Sequence, residues 1–413
     1  MRIGYLCLEP TQSRQHISGY AVHLNAMIGA FEAAGHEVGV IVLGEWRGHA
    51  QPAASARDNG SGGNLKSALK RVVPGILWET ARDLRVRRWD REYRERYRKF
   101  LKEFNPDVIY EQIAFNAESG RLLADELCVP RMAELHAPMV EERMRDGRRS
   151  LYAPRARRIE MRNLETADRI RVVSSPLKEY LVERGIAPGK IIVQPNGTDT
   201  TRFHPGAGDG ERVRRELELG DRLVFGFTGS FFRWHRIDTL IEAFAAVQKE
   251  CPETALLIVG DGEDSDRLRT LASELGVGGH VRFTGNVPHD EIIDYYAAMD
   301  VCCMVGTNWY GSPLKLFEYG GLRKAIVAPD EAPVREVMTP DQDGLLVPVG
   351  NANATADAMR RLCLDEDLRQ TLAQSFHEKV RSRYDWAHVA GNILRAMEEI
   401  RSTRSQSPMK RPL

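Results

Sequence analysis

The chain lacks most of what marks a protein for export or for life inside a membrane. No apolar run approaches the roughly 20 residues of a membrane span, and Met1–Leu8 has neither the long apolar core nor the cleavage site of a signal peptide. Its six cysteines (Cys7, Cys128, Cys251, Cys302, Cys303 and Cys363) are scattered without a C-x-x-C pair, several of them in apolar runs. They read as reduced, buried and intracellular, so a soluble cytoplasmic protein is expected. A surplus of one charge is also missing: Lys plus Arg equals Asp plus Glu at 58 each. No global field favours nucleic acid or an acidic partner.

What is present is ordinary globular material, 42% hydrophobic and 28% charged over 413 residues. That length exceeds what one core usually serves, so two domains are expected. Strand-like runs alternate with helical patterns, which argues for parallel sheets covered by helices. In the first half they fall at 3–8, 38–43, 108–110, 131–135, 170–173 and 191–194. In the second half they fall at 223–228, 255–259, 281–284, 300–304, 325–328 and 344–347. Each set suits one doubly wound, Rossmann-like domain, with the break near 201–210, where Pro205-Gly206-Ala207-Gly208 stops any regular element. Ligands of open parallel sheets bind beyond the C-terminal ends of the strands, so two such domains imply a cleft between them.

The most informative stretch is Ser312-Pro313-Leu314-Lys315-Leu316-Phe317-Glu318-Tyr319, after the apolar run Val301–Val305. It reads as a helix with Ser312 as N-cap and Pro313 at its first position. The first amides of such a helix are unpaired and carry the positive end of its dipole, which favours an anion. Lys315 adds a full charge, and Glu318, a turn later, can accept hydrogen bonds from two neighbouring hydroxyls such as a ribose offers. A nucleotide diphosphate fits both. The plainer alternative is a capped helix with a surface Lys and Glu.

The order of motifs resembles the family 4 glycosyltransferases, whose fold of two Rossmann-like domains facing across a cleft is called GT-B. It runs from Ser18-Gly19-Tyr20-Ala21-Val22-His23 and Gly35-His36-Glu37-Val38 through Glu134-Leu135-His136-Ala137-Pro138 to Pro195-Asn196-Gly197-Thr198-Asp199. The second half adds Phe227-Thr228-Gly229-Ser230, Trp234-His235, Val259-Gly260-Asp261-Gly262, Gly285-Asn286-Val287-Pro288-His289 and the helix above. The resemblance implies an N-terminal acceptor domain over 1–203, with a mobile, basic segment at 46–102, and a donor domain over 204–385. It further implies that a helix over 386–401 returns to the first domain; 402–413 reads as a disordered tail.

The activity so implied is retaining, metal-independent transfer of a sugar from a nucleotide diphosphate sugar, a co-substrate rather than a cofactor. The acceptor would be a saccharide, a lipid-linked intermediate or a natural product. The donor contacts it implies are Gly19, Ser230, Arg233, His235, Arg236, Asn286, Val287, Tyr310, Gly311, Ser312, Pro313, Leu314, Lys315 and Glu318. Lys315 and Glu318 would also serve catalysis, with His136 touching the transferred sugar or the acceptor hydroxyl. Glu134 and Glu141 are candidates for acceptor contacts, and His23 is assigned to structure. Two departures stand out. Ser230 and His235 occupy places where many members carry Arg and Lys, so Arg233, His235 or Arg236 is expected to join Lys315 at the phosphates. The family's first Glu of a pair eight residues apart is Tyr310 here. These departures keep open a nucleotide-binding protein without transferase activity, or another GT-B chemistry such as an epimerase or a pseudo-sugar coupling enzyme.

Segment 66–102 carries 13 Lys or Arg against 5 Asp or Glu, much of it helical over 81–103, with Trp78, Trp89, Tyr93, Tyr97 and Phe100 interleaved. It reads either as an amphipathic helix packing its aromatics inward or as a weak membrane-surface contact. Residues 51–64, rich in Gly, Ala and Ser, read as a mobile loop. Asp264-Ser265-Asp266 has the D-x-D form but reads as a helix start, so no metal site is expected.

Overall fold

The computed structural model describes residues 1–15, 19–48, 74–288 and 290–406. Ser18, the 51–64 loop, residues 66–73 of the basic segment, His289 and the end of the tail lie outside them. By its contacts the chain forms two units. The first holds Met1–Val173, Leu177–Gln194 and the chain from Ala390 on; the second holds Ser174–Pro176 and Pro195–Val389.

The first unit is a parallel sheet of β1 (Arg2–Cys7), β2 (Glu37–Val42), β3 (Val108–Gln112), β4 (Arg131–Leu135), β5 (Arg169–Val172) and β6 (Ile191–Val193), in the order β2-β1-β3-β4-β5-β6. Helix α1 (Gly19–Ala33) follows β1, and α2 (Gly75–Phe104) leads into β3. After β4 come α3 (Met139–Arg145) and α4 (Ala153–Glu165). The second unit has β7 (Leu223–Thr228), β8 (Thr254–Val259), β9 (Val281–Phe283), β10 (Val301–Cys303), β11 (Ala325–Pro329) and β12 (Leu345–Val347), in the order β12-β11-β10-β7-β8-β9. Helix α5 (Ile237–Glu250) follows β7, and α6 (Leu314–Gly321) follows β10. All pairings between these strands are parallel.

The central strands carry no polar alternation because both faces are covered. Phe225 and Phe227 of β7 are fully buried on the side of Phe244 in α5, while Val224 faces a second cluster with Phe317 and Tyr319 of α6. Gly226 is required between them, since a Cβ there would lie 2.1 Å from the Met299 sulfur. In each sheet one strand is flanked by connections that run in opposite directions: β1 against β3, and β7 against β10. Such switch points splay the following loops apart and leave a crevice at the strands' C-terminal ends.

Three expectations change. The helix of the opening motif starts at Leu314 with Pro313 in the cap position and no side-chain cap, so Ser312 is not its N-cap. The tail beyond residue 401 is not irregular at its start: α7 (Trp386–Gln406) continues to Gln406. In α7, Asn392 reaches Gln194, Glu399 pairs with Arg169 at 2.7 Å and Arg404 with Asp168 at 3.2 Å, all within the first unit. All six cysteines are free; Cys128 is exposed and Cys363 half-buried, against the expectation that they are buried.

Candidate functional site

The crevice at the β7/β10 switch point is floored by glycine. Gly229 (φ +133°) and Gly260 (φ +131°), which end β7 and β8, hold backbone conformations that side chains rarely adopt. A Cβ on Gly260 would lie 2.1 Å from the Gly229 carbonyl oxygen, and one on Gly229 would lie 2.6 Å from Lys315 Nζ. The Lys315 ammonium therefore rests directly on bare backbone. It also lies 4.4 Å from the centre of the Phe227 ring, a cation–π contact.

Its polar neighbour is His235. Nδ1 of His235 donates to the Ser230 carbonyl at 2.6 Å, which fixes the proton there and leaves Nε2 to accept from Lys315 Nζ at 3.4 Å. Burial and the adjacent lysine push the imidazole down to about 3, so it is neutral, while burial brings the Lys315 amine down to about 7. The pair thus carries a single, loosely held positive charge. His235 is the sequence-expected phosphate partner, but it does not bring a charge of its own.

One turn along α6, Glu318 is buried at 6% exposure, and burial holds its carboxyl above the ordinary range. Its Oε2 accepts from the Tyr296 hydroxyl at 2.7 Å. Tyr296 accepts in turn from Thr228 Oγ1 at 3.1 Å, and the Tyr319 hydroxyl lies 2.9 Å from the same Thr228 oxygen. This buried chain of hydroxyls sets the rotamer of Glu318. Sequence reasoning missed Tyr296 and Tyr319 as its supports, since only the fold brings β7 to the helix at 292–298.

The other expected donor residues divide. Arg236, at φ +52°, is paired with Asp238 at 3.3 Å and donates to Thr239, so its charge is already matched. Arg233 and Ser230 are exposed, and Trp234 stacks on exposed Phe232 at 4.3 Å. Asn286 is exposed, while Val287 packs on the core. Tyr310 is buried, and its carbonyl accepts from Ser174 Oγ at 2.8 Å. Gly311 has no crowded neighbour: a Cβ would meet nothing nearer than 3.8 Å. Ser312 is engaged from outside its helix, its Oγ accepting from the Asn196 amide at 2.9 Å and its carbonyl from Asn196 Nδ2 at 2.8 Å. Pro313 and Leu314 lead into α6. Of the cations expected at the phosphates, Lys315 is the one the structure seats on the glycine floor.

In the first unit, Gly19 opens α1, and His136 follows the last residue of β4. His136 belongs to a buried cluster. Glu134 of β4 and Arg171 of β5 are direct cross-strand partners, both fully buried and in contact through Oε1 and Nη1. His23 Nε2 lies 3.0 Å from the same Oε1, and His136 Nε2 lies 3.4 Å from Oε2. The two imidazole rings meet edge to face at 4.5 Å. Burial lowers both, His136 to about 4, so both are neutral. His23, expected to be only structural, is thus part of the His136 environment. Glu134, offered as an acceptor contact, is sealed at 0% exposure and cannot serve as one. Glu141 is held by Arg157 at 2.8 Å.

His23, Glu134 and His136 place three potential metal-donor atoms within 4.8 Å of one another. The donor set does not fit a divalent ion, because the Arg171 guanidinium already lies against the one carboxylate and would face the metal. The arrangement is an ion pair with two neutral histidines attached.

Known proteins give this geometry a family. A model described as "Glycosyltransferase Family 4" matches residues 17–202, and one described as "Glycosyl transferases group 1" matches 209–379. The chain belongs to glycosyltransferase family 4. It is 26% identical over 246 residues to a GDP-mannose-dependent alpha-(1-6)-phosphatidylinositol monomannoside mannosyltransferase of Mycobacterium tuberculosis, covering 58% of this chain and 64% of that relative. The match thus spans less than two thirds of the relative's length. A D-inositol 3-phosphate glycosyltransferase of Corynebacterium jeikeium is 29% identical over 71% of this chain and 72% of its own. The fold is that of Anabaena Alr3699/HepE, solved in complex with UDP: TM-score 0.71, 17% identity, with 97% of this chain and 100% of that one covered.

Proposed function

We propose that this protein transfers a glycosyl group from a nucleoside diphosphate sugar to an acceptor hydroxyl, with retention at the anomeric carbon and without a metal ion. The observation that carries the reading is Lys315 on the Gly229–Gly260 floor with Glu318 one turn further along the same helix. Backbone without side chains lets a diphosphate approach closely, and Lys315 with the first amides of α6 supplies the countercharge. Glu318, held in place by Tyr296, accepts from the two ribose hydroxyls.

In the reaction the bond from the anomeric carbon to the phosphate oxygen breaks while the acceptor oxygen bonds to that carbon. The acceptor's proton passes to the leaving diphosphate on the same face. Lys315 stabilises the charge that develops there. His136, a neutral group, is our candidate for contact with a substrate hydroxyl. The acceptor we propose is a saccharide or lipid-linked hydroxyl met at the cytoplasmic membrane face; the names of the mycobacterial and corynebacterial relatives support a polyol or lipid-borne acceptor.

The test is the melting temperature with UDP, GDP, ADP, dTDP and CDP, each with a chelator. A ligand at 100 times its Kd stabilises by about 2.7 kcal/mol, a rise of roughly 5–10 °C for a unit of this size. One nucleotide is expected to stand clear, and Glu318→Ala to lose its shift. Silence from all five overturns the reading.

Affinity should also depend on pH with a definite sign. Lys315 has a depressed pKa of about 7 in the empty site, and a bound diphosphate raises it. Above pH 7 binding must therefore take up a proton, so Kd rises with pH by up to about tenfold per unit. Lys315→Arg is expected to flatten that dependence between pH 7 and 9 by titration calorimetry.

A further inference from the structure

Helix α2 consists of two unlike halves. Its C-terminal half is anchored as the plainer reading of the sequence expects. Tyr97 and Leu101 are buried, Trp46 packs on Tyr97 and Phe100 at 5.4 and 6.0 Å, and Arg98 pairs with Glu126 at 2.8 Å. Tyr97 and Phe100 of the basic segment are accounted for there.

The N-terminal half differs. Ile76, Leu77 and Leu84 stand exposed, Leu84 at 49%. The end of α3 and its connection to α4 lie against these turns: the Leu151 amide donates to Thr80 Oγ1 at 2.9 Å, and Arg143 pairs with Glu79 and Asp83 at 3.1 and 2.6 Å. They add Met144, from α3, and Leu151, from the connection, the latter 63% exposed. Five of the ten large apolar side chains exposed among the described residues therefore gather on one face.

The same face is cationic. Arg85, Arg88, Arg91, Arg148, Arg149 and Arg155 are exposed on α2, the connection and α4, against Asp146 and Glu92, the latter paired with Arg88 at 3.8 Å. Four arginines (Arg87, Arg88, Arg91 and Arg155) line an open groove of about 520 Å³ with Leu84, Tyr152 and a single acid, Glu92. In a chain whose charges balance at 58 each, this surplus is local. Arginine grips phosphodiesters through two parallel hydrogen bonds and is weakly hydrated, which suits an interface. Separate protruding leucines ringed by arginines match the interfacial layer of a bilayer, apolar below and anionic above.

We propose that this face docks on an anionic phospholipid membrane, with Ile76, Leu77, Leu84, Met144 and Leu151 entering the interfacial layer while the arginines hold lipid phosphates. The attachment is peripheral, since no helix among the described residues is long and apolar enough to cross a membrane. Nucleic acid would use the arginines but leave the exposed aliphatic side chains in water. The inference gives the lipid-borne acceptor proposed above a place to be met, yet it stands without the donor chemistry.

The experiment is sedimentation of the full chain with vesicles of phosphatidylcholine alone and with about 30% phosphatidylglycerol added, a fraction that provides the anionic surface the arginines need. Partition is expected to rise at least about tenfold with the anionic lipid. Leu77→Gln, Leu84→Gln and Leu151→Gln together keep the charge and should lower that partition at least about tenfold. Arg88→Gln, Arg91→Gln and Arg155→Gln should remove the preference for phosphatidylglycerol. A melting temperature for the leucine variant close to the parent's shows that it is folded, so a failure of donor binding in the parent would leave the vesicle result standing. Equal binding to both vesicles, or anionic binding untouched by the leucine changes, as for a polyanion site, overturns the proposal.

Discussion

Replacing Lys315 with Ala is expected to lower turnover by about 100- to 1,000-fold, the loss of roughly 2.7–4 kcal/mol of transition-state stabilisation typical for one preorganised electrostatic donor. The reason is local. The ammonium lies against Gly229, and among the described residues its near neighbours are the Phe227 ring and neutral His235, with Glu318 acting on it from one turn along the helix. Arg236, the nearby alternative, is committed to Asp238. Kd for the intact nucleotide sugar should rise less than turnover falls, because charge grows on the leaving diphosphate only as the bond breaks. Folding should survive, since the position is held to the core by Leu316 and Phe317 rather than by the amine. Steady-state kinetics alongside nucleotide calorimetry separates the two effects. Full turnover in Lys315→Ala would remove the site from the chemistry.

Arg171→Met is expected to destabilise the first unit by about 3–5 kcal/mol, because it leaves the Glu134 carboxylate buried without its cation. Both partners have no solvent exposure. For a unit of this size that is a fall of roughly 6–20 °C in melting temperature. Adding Glu134→Met should restore part of the loss, since a matched apolar pair needs no charge balance. The remainder reports on His23 and His136, which would both lose the carboxylate they face. If the single change is neutral, the cluster is not held by this ion pair.

The sheets were legible because buried parallel strands are apolar runs bounded by turn residues. Leu223–Thr228 and Arg131–Leu135 coincide with β7 and β4 to the residue. The Lys315–Glu318 spacing was legible too, since one helical turn is a local fact. What failed to show in the sequence depends on partners far along the chain. Ser312 looked like an N-cap, but its hydroxyl is taken by an amide 116 residues away. His23 reads rightly as structural, but what it packs against was hidden, since its neighbours Glu134 and Arg171 are 111 and 148 residues distant. Arg171 drew no notice as one polar position inside an apolar strand. The charge assigned to Arg236 was lost to Asp238 only two positions on, because the left-handed turn at Arg236 folds the guanidinium back over its own helix start.

The division into units has a consequence for synthesis. The chain leaves the first unit after Gln194 and re-enters it at Ala390, so the second unit is in effect an insertion. Domains generally fold as they emerge from the ribosome, N-terminal first. Here that order is reversed: the second unit is complete once Val389 is out, whereas the first waits for Ile393, Met397 and Ile400 to fill its core. A stop codon at position 390 would therefore spare the half that carries Lys315 and Glu318 and leave the earlier-made half unfinished.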